Sequence, residues 1–91
     1  MTGAQTPEVT MYSTGWCPYC DRARALLQRK GVPVQEHKID EDVVQRAVML
    51  QKSGGRRTVP QIFIGDRHVG GYDDLYALDK AGDLDKLLGR A

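Results

Sequence analysis

Cys17 and Cys20 are the two cysteines of this chain, separated by Pro18 and Tyr19. Cysteines at this spacing can ligate a metal, close a structural disulfide or work as a reactive dithiol. A closed zinc site takes four ligands, and the chain adds only His37 and His68 with no ligand spacing between them. A disulfide closing so short a loop constrains the unfolded chain little, so its stabilising value would be small. The dithiol use needs one sulfur activated as a thiolate and the other within reach of it. Whether that condition holds depends on the elements around the pair.

Upstream, Val9 to Ser13 (VTMYS) is a β-prone run that feeds straight into the cysteine segment. Downstream, from Pro18 to Lys30, residues Cys20, Ala23, Leu26, Leu27 and Lys30 follow helical spacing; Pro18 suits the first helical position and Gly31 a C-terminal stop. The pair therefore opens a helix that follows a strand. At a helix start the unpaired N–H groups and the positive end of the macrodipole favour thiolate over thiol, which singles out Cys17. Cys20, one turn in, lacks that help. Because positions i and i+3 share a helical face, the Cys20 sulfur can reach a mixed disulfide formed at Cys17 and expel its partner. Cys17 is expected as nucleophile and Cys20 as resolving thiol.

The rest of the chain reads as a scaffold for this pair. Val32 to Ile39 alternates roughly and predicts a second strand, and Asp40 can cap a second helix whose apolar face is Val43, Val44, Ala47, Val48 and Met49, closed by Gly54-Gly55. Strand, helix, strand implies a right-handed parallel crossover. Gln61 to Ile64 and Arg67 to Val69, around Gly65-Asp66, suit an antiparallel hairpin. Gly70-Gly71 leads into a helix over Tyr72 to Ala81, which Gly82 breaks before Asp83 caps a last turn carrying Leu84, Leu87 and Leu88. Pro60 belongs at the first position of its strand, with the Val59-Pro60 bond cis or trans. In the cis form the Val59 backbone would turn outward as a short edge for an extended peptide.

Bulk properties narrow the partners. At 91 residues the chain is one small domain, taken as residues 8–91 behind a polar tail expected to fray over 1–7. Its 41% hydrophobic and 27% charged residues fall in the ordinary range of soluble globular proteins. Thirteen basic and twelve acidic side chains give a net charge of +1 without a Lys/Arg run, so neither nucleic acid nor a membrane surface is an expected partner. Lys52 with Arg56-Arg57 is the densest basic cluster and reads as a solvated loop. MTGAQTPE has no positive n-region or apolar h-region, and no 18-residue apolar run exists. Cytoplasmic localisation is expected, where a permanent disulfide is disfavoured.

Three motifs now stand in order: Cys17-Pro18-Tyr19-Cys20, Thr58-Val59-Pro60 and Gly70-Gly71-Tyr72-Asp73-Asp74-Leu75. Together, and over nearly the whole span from Val9 to Leu88, they resemble the dithiol glutaredoxins of the bacterial type 3 kind. The resemblance implies an α/β thioredoxin fold: a four-stranded mixed sheet flanked by helices, in the order β-α-β-α-β-β-α with a short terminal helix. It implies a glutathione-dependent oxidoreductase that reduces protein–glutathione mixed disulfides and protein disulfides, with glutathione as co-substrate, no bound cofactor and a monomeric state. Carried over residue by residue, Val59 would pair its backbone with the cysteinyl unit of glutathione, with Thr58 and Pro60 beside it. Gly71 and Tyr72 at the helix start would meet the γ-glutamyl carboxylate, and Asp73 or Asp74 its ammonium. Arg57 would attract the glycine carboxylate, with Arg46 a weaker candidate, and Tyr19 would line the groove beside the sulfur.

Two positions depart from the family's pattern. Thr14 stands where many members carry a Lys that helps bind glutathione, which leaves more of the thiolate's stabilisation to the helix terminus and the arginines. Tyr72 stands where many have a third cysteine. Two other readings stay open at this point. One is a glutathione-ligated iron–sulfur carrier in which two chains each lend Cys17 to a shared cluster. The other is an electron donor, for example to ribonucleotide reductase, recharged by thioredoxin reductase.

Overall fold

The computed structural model describes residues 7–89, so the tail expected over 1–7 lies outside the described residues except for Pro7. The described chain runs β1 (Val9–Ser13), α1 (Pro18–Arg29), β2 (Val34–Lys38), α2 (Val43–Lys52), β3 (Gln61–Ile64), β4 (Arg67–Gly70), α3 (Tyr72–Lys80) and α4 (Asp83–Leu87). The strands form one sheet in the order β2-β1-β3-β4. β1 pairs parallel with β2, Val9 opposite Val34, and antiparallel with β3, Val9 opposite Ile64. β3 and β4 form the expected hairpin, with a register shift between Ile62 and Phe63.

Strand alternation divides the core in two. Met11, Ile62 and Ile64 pack with Ala23, Leu26 and Leu27 of α1, Leu75 of α3 and Leu84 of α4, whereas Tyr12 and Phe63 pack with Ile39 and Met49. Side chains at successive strand positions point to opposite faces. The sheet is therefore a middle layer with α1, α3 and α4 on one side and α2 on the other. Lys30, expected on the helical face, joins α3 and α4 by ion pairs to Asp79 (2.7 Å) and Asp85 (3.1 Å).

The observed boundaries correct three expectations. β2 starts at Val34 because Pro33 has no N–H for the parallel ladder, although Val32 and Ile39 at its margins are still buried. The N-cap of α2 is Asp42, whose carboxylate accepts from the Gln45 N–H, and not Asp40. Its inward face centres on Met49, with Val48 and Leu50 alongside. Val43, Val44 and Ala47 lie roughly 120–160° around the helix from Met49 and are exposed. At α4 the N-cap is Gly82, in the left-handed region with φ 81°, and Asp83 is the first helical residue.

Candidate active site

Three segments converge at one end of the sheet. The first leaves β1 at the buried Ser13 and reaches Cys17 through Thr14, Gly15 and Trp16. Gly15 N–H donates to the Asp40 carboxylate at 2.9 Å, and Thr14 Oγ1 donates to the Trp16 carbonyl at 3.3 Å. Asp40 is thus spent on fixing this loop, not on capping α2.

Cys17 is the N-cap of α1, with extended backbone (φ −157°, ψ 98°) and Pro18 at the first helical position. Its Sγ accepts the backbone N–H of Cys20 at 3.1 Å, the bond that a capping side chain makes to an unpaired donor. Cys17 is partly exposed and Cys20 wholly buried, and the two are joined as a disulfide with Cα atoms 5.1 Å apart. The structure therefore holds the oxidised dithiol, and the pair is unequal in exposure and in distance from the helix terminus.

The second segment is the loop before β3. Gly54 and Gly55 both take positive φ, and the Ser53 hydroxyl closes the turn by accepting from the Arg56 N–H (3.1 Å) and donating to the Arg56 carbonyl (3.2 Å). The Val59-Pro60 peptide bond is cis. Val59 packs against the Tyr12 and Phe63 cluster while its carbonyl oxygen lies 3.9 Å from Cys17 Sγ. Thr58 is clamped from behind by Gln61, whose Nε2 donates to the Thr58 carbonyl (3.0 Å) and to its Oγ1 (3.1 Å).

The third segment is the start of α3. Gly71 is its N-cap, and its N–H donates to Asp74 Oδ2 at 3.0 Å. Asp74 is thereby a helix cap, and Asp73 is exposed at the groove's edge. Gly70 before them has φ 115°, and a Cβ there would run into the Asp74 carboxylate and lie 3.3 Å from the Arg56 guanidinium. Only glycine lets β4 pass beneath this cap.

Between the segments lies an open groove lined by Tyr19, Arg56, Thr58, Val59, Pro60, Gly71, Tyr72, Asp73 and Asp74. Every expected binding position except Arg57 and the weaker candidate Arg46 lines it. The arginine in the groove is Arg56, and Arg57 and Arg46 are exposed without lining it. Tyr72 fills the family's third-cysteine position with an aromatic ring, 6.3 Å from that of Tyr19, on which the Arg22 guanidinium sits at 5.1 Å. Sequence reasoning also passed over Gln61 and His68 behind the groove. In a loop without periodicity no local signal separates Arg56 from Arg57.

Charge near the pair is ordered by Arg24 of α1, which bonds Glu36 of β2 through Nε (2.8 Å) and Nη2 (2.6 Å) and Asp21 through Nη1 (2.7 Å). Glu36 also accepts from the Ser13 hydroxyl. The Arg24 guanidinium holds the Glu36 carboxyl below its ordinary value against the opposing effect of burial. This network ties the end of β1, the edge strand and the first turns of α1 into one unit under the cysteines.

A sheet that delivers an unequal dithiol at a helix N-cap, opposite a cis-proline loop, defines a thiol–disulfide oxidoreductase of the thioredoxin fold. Known proteins narrow the class. The family model described as Glutaredoxin matches residues 9–69. A glutaredoxin of Pseudomonas aeruginosa is 57% identical over 82 residues, covering 90% of this chain and 96% of the relative. Glutaredoxin 3 of Escherichia coli K12 is 56% identical over 80 residues, covering 88% and 95%. Among solved structures, the glutaredoxin of Brucella melitensis aligns with a TM-score of 0.80 at 50% identity, covering 96% of this chain and 92% of the other. A buckwheat glutaredoxin–glutathione complex aligns with a TM-score of 0.81 at 30% identity, covering 93% and 83%. The chain belongs to the glutaredoxin family.

Proposed function

We propose that this dithiol glutaredoxin reduces protein–glutathione mixed disulfides through Cys17 alone and protein disulfides through Cys17 and Cys20 together. The observation that carries this reading is the position of Cys17 Sγ: partly exposed, on the N–H groups that open α1, and beside the Val59 carbonyl at the end of the groove. In the reduced protein those N–H groups favour the thiolate.

In the first reaction the Cys17 thiolate attacks the glutathione sulfur of a mixed disulfide. The protein sulfur leaves and takes a proton, and Cys17 becomes glutathionylated. A glutathione thiolate then attacks that glutathione sulfur, so Cys17 leaves as thiolate and glutathione disulfide departs. In the second reaction Cys17 attacks a protein disulfide, and one protein sulfur leaves as a thiol after protonation. Cys20 loses its proton, attacks Cys17 Sγ and expels the second protein sulfur, leaving the Cys17–Cys20 disulfide. Two glutathiones restore the dithiol and are oxidised to one glutathione disulfide.

Glutathione carries two carboxylates, one ammonium and an extended backbone, and the groove offers matching groups. The Val59 backbone pairs with the cysteinyl unit, between Thr58 and Pro60. The start of α3 at Gly71 and Tyr72 receives the γ-glutamyl carboxylate. Asp73 accepts from its ammonium, while Asp74 holds the cap. Arg56, in place of the expected Arg57, draws the glycine carboxylate. Tyr19 and Tyr72 close the groove from either side. Glutathione acts here as co-substrate and no resident cofactor is required. One chain builds the whole groove, which makes a monomer the working unit, and the reducing glutathione pool of the cytoplasm is its setting.

The test compares Cys17→Ser and Cys20→Ser. Cys17→Ser is expected to abolish both reactions, and Cys20→Ser to retain reduction of a glutathionylated peptide while losing reduction of a protein disulfide. Equal loss of the peptide activity in both variants would overturn the assigned roles.

A further inference from the structure

Behind the groove, a side chain that does not line it controls the residue that clamps Thr58. Gln61 is fully buried at the start of β3, and its Oε1 lies 2.6 Å from Nε2 of His68 on β4. The Thr58 carbonyl can only accept, so the Gln61 amide must present its nitrogen there and its oxygen to His68. His68 Nε2 is therefore the donor, in the neutral Nε2–H tautomer or in the imidazolium alike. Phe63 stacks on the imidazole with ring centres 4.7 Å apart, which fixes the ring's plane. With both ends of the amide engaged, Gln61 has one orientation available, and Thr58 with it.

The surroundings favour the neutral ring. Burial and the Arg56 guanidinium push the His68 pKa down, opposed by the Asp74 carboxylate. A neutral His68 leaves the groove's charge to Arg56 and the aspartates. His68 also stands two residues before Gly70, so a single position is connected to both the Thr58-Val59-Pro60 wall and the strand end that launches α3.

We propose that His68 is a positioning residue for glutathione: by donating Nε2–H to Gln61 it holds Thr58, and so directs the Val59 backbone toward Cys17 and the groove. This rests on the reading of that groove as the glutathione site. The residue touches no reacting atom, so its effect falls on the binding of glutathione and not on the nucleophilicity of Cys17.

The experiment measures reduction of a glutathionylated peptide against peptide concentration, with and without glutathione, together with the rate of Cys17 alkylation by iodoacetamide. In His68→Leu the KM for the glutathionylated peptide is expected to rise about three- to tenfold, the size of one lost hydrogen bond. Its kcat and alkylation rate are expected to stay within about twofold of the starting protein, the signature of lost ground-state binding. His68→Gln, whose amide nitrogen can still donate to Gln61, is expected to recover most of the KM. An unchanged KM in His68→Leu, or the same KM in both variants, overturns the proposal. Should His68→Leu fail to fold, the unsubstituted protein still decides: ring ¹⁵N shifts are expected to place the His68 proton on Nε2, and a proton on Nδ1 alone overturns the proposal. A rate independent of glutathione in the unsubstituted protein would overturn the glutathione reading itself. That failure is distinct from a glutathione-dependent rate that is indifferent to His68.

Discussion

Asp40 and Gly15, 25 residues apart, are joined by a hydrogen bond from the Gly15 N–H to Asp40 Oδ2 at 2.9 Å. Through it the segment after β2 restrains the loop that delivers Cys17. The bond is exposed, and its energetic value is modest, but the loop has few other ties. Asp40→Ala is expected to lower stability by about 0.5–1.5 kcal/mol in urea unfolding. Activity toward a glutathionylated peptide is expected to fall by more than the population of unfolded chain explains, because the Cys17 cap geometry loosens. Asp40→Asn keeps an oxygen acceptor, and its activity should lie close to that of the starting protein. Full activity in Asp40→Ala would show that α1 alone positions the sulfur.

The Glu36–Arg24 pair makes stability depend on pH in a defined direction. Glu36 is held below its ordinary value of 4.5, first by the Arg24 hydrogen bonds and then by that from Ser13, with burial opposing. A carboxyl with a lowered folded-state pKa contributes stability that is complete above the unfolded value and lost as pH falls through the folded one. At pH 7, Arg24→Ala is expected to cost about 1–3 kcal/mol, the range for hydrogen bonds to a charged group that is then left half-buried. The gap should begin to narrow as pH falls below 4.5 and close only once pH has passed the lower value that Glu36 has in the folded protein. Urea midpoints across pH 3–7 measure this, and a gap that stays constant across that range would exclude Glu36 as the source.

The contrast between α1 and α2 explains what was legible. α1 carried local and periodic signals that agree: Pro18 at the first turn, Leu26 and Leu27 nearly two turns beyond Cys20, and Gly31 after the end. α2 offered two equivalent caps, Asp40 and Asp42, and the choice between them depends on Gly15, a tertiary partner that no local pattern reveals. The apolar run at Val43 and Val44 drew the expected face too far round the helix, so that Val48 and Met49 turn inward as expected while Val43, Val44 and Ala47 do not. The cysteine roles followed from helix position alone, whereas Gln61 and His68 meet because they are diagonal neighbours across β3 and β4, with a register shift beside them. Turn residues do not encode that shift.

Gly70 gives a prediction that separates backbone strain from side-chain crowding. At φ 115° an alanine is strained by about 1–3 kcal/mol wherever it occurs, and here its Cβ also meets the Asp74 carboxylate. Gly70→Ala is expected to lower stability by at least this amount and to raise the KM for a glutathionylated peptide, since the cap on Gly71 is displaced. Adding Asp74→Ala removes the crowding but not the strain. In the double variant the Gly70→Ala penalty, taken relative to Asp74→Ala alone, should shrink without vanishing. Strict additivity in urea unfolding would mean that crowding contributes nothing.

Arg56 and Arg57 are neighbours in sequence with equal charge, yet only Arg56 lines the groove and approaches Gly70. Its placement follows from the Ser53 hydroxyl, which binds both the N–H and the carbonyl of Arg56 and so fixes where this residue leaves the turn. Any long-range attraction of anionic glutathione by net charge is common to both arginines and is screened by salt within about 8–10 Å. A direct contact with the glycine carboxylate is not. Arg56→Ala is therefore expected to raise the KM for a glutathionylated peptide about tenfold or more, in line with loss of a hydrogen bond to a charged group, and to keep most of that effect at 0.5 M salt. Arg57→Ala is expected to change KM less than about twofold at low salt and not at all at high salt, as for an exposed charge acting at a distance. Kinetics on the two variants at both ionic strengths test the assignment, and an Arg57→Ala defect that persists in salt would return the carboxylate to Arg57 and require the loop to rearrange when glutathione binds.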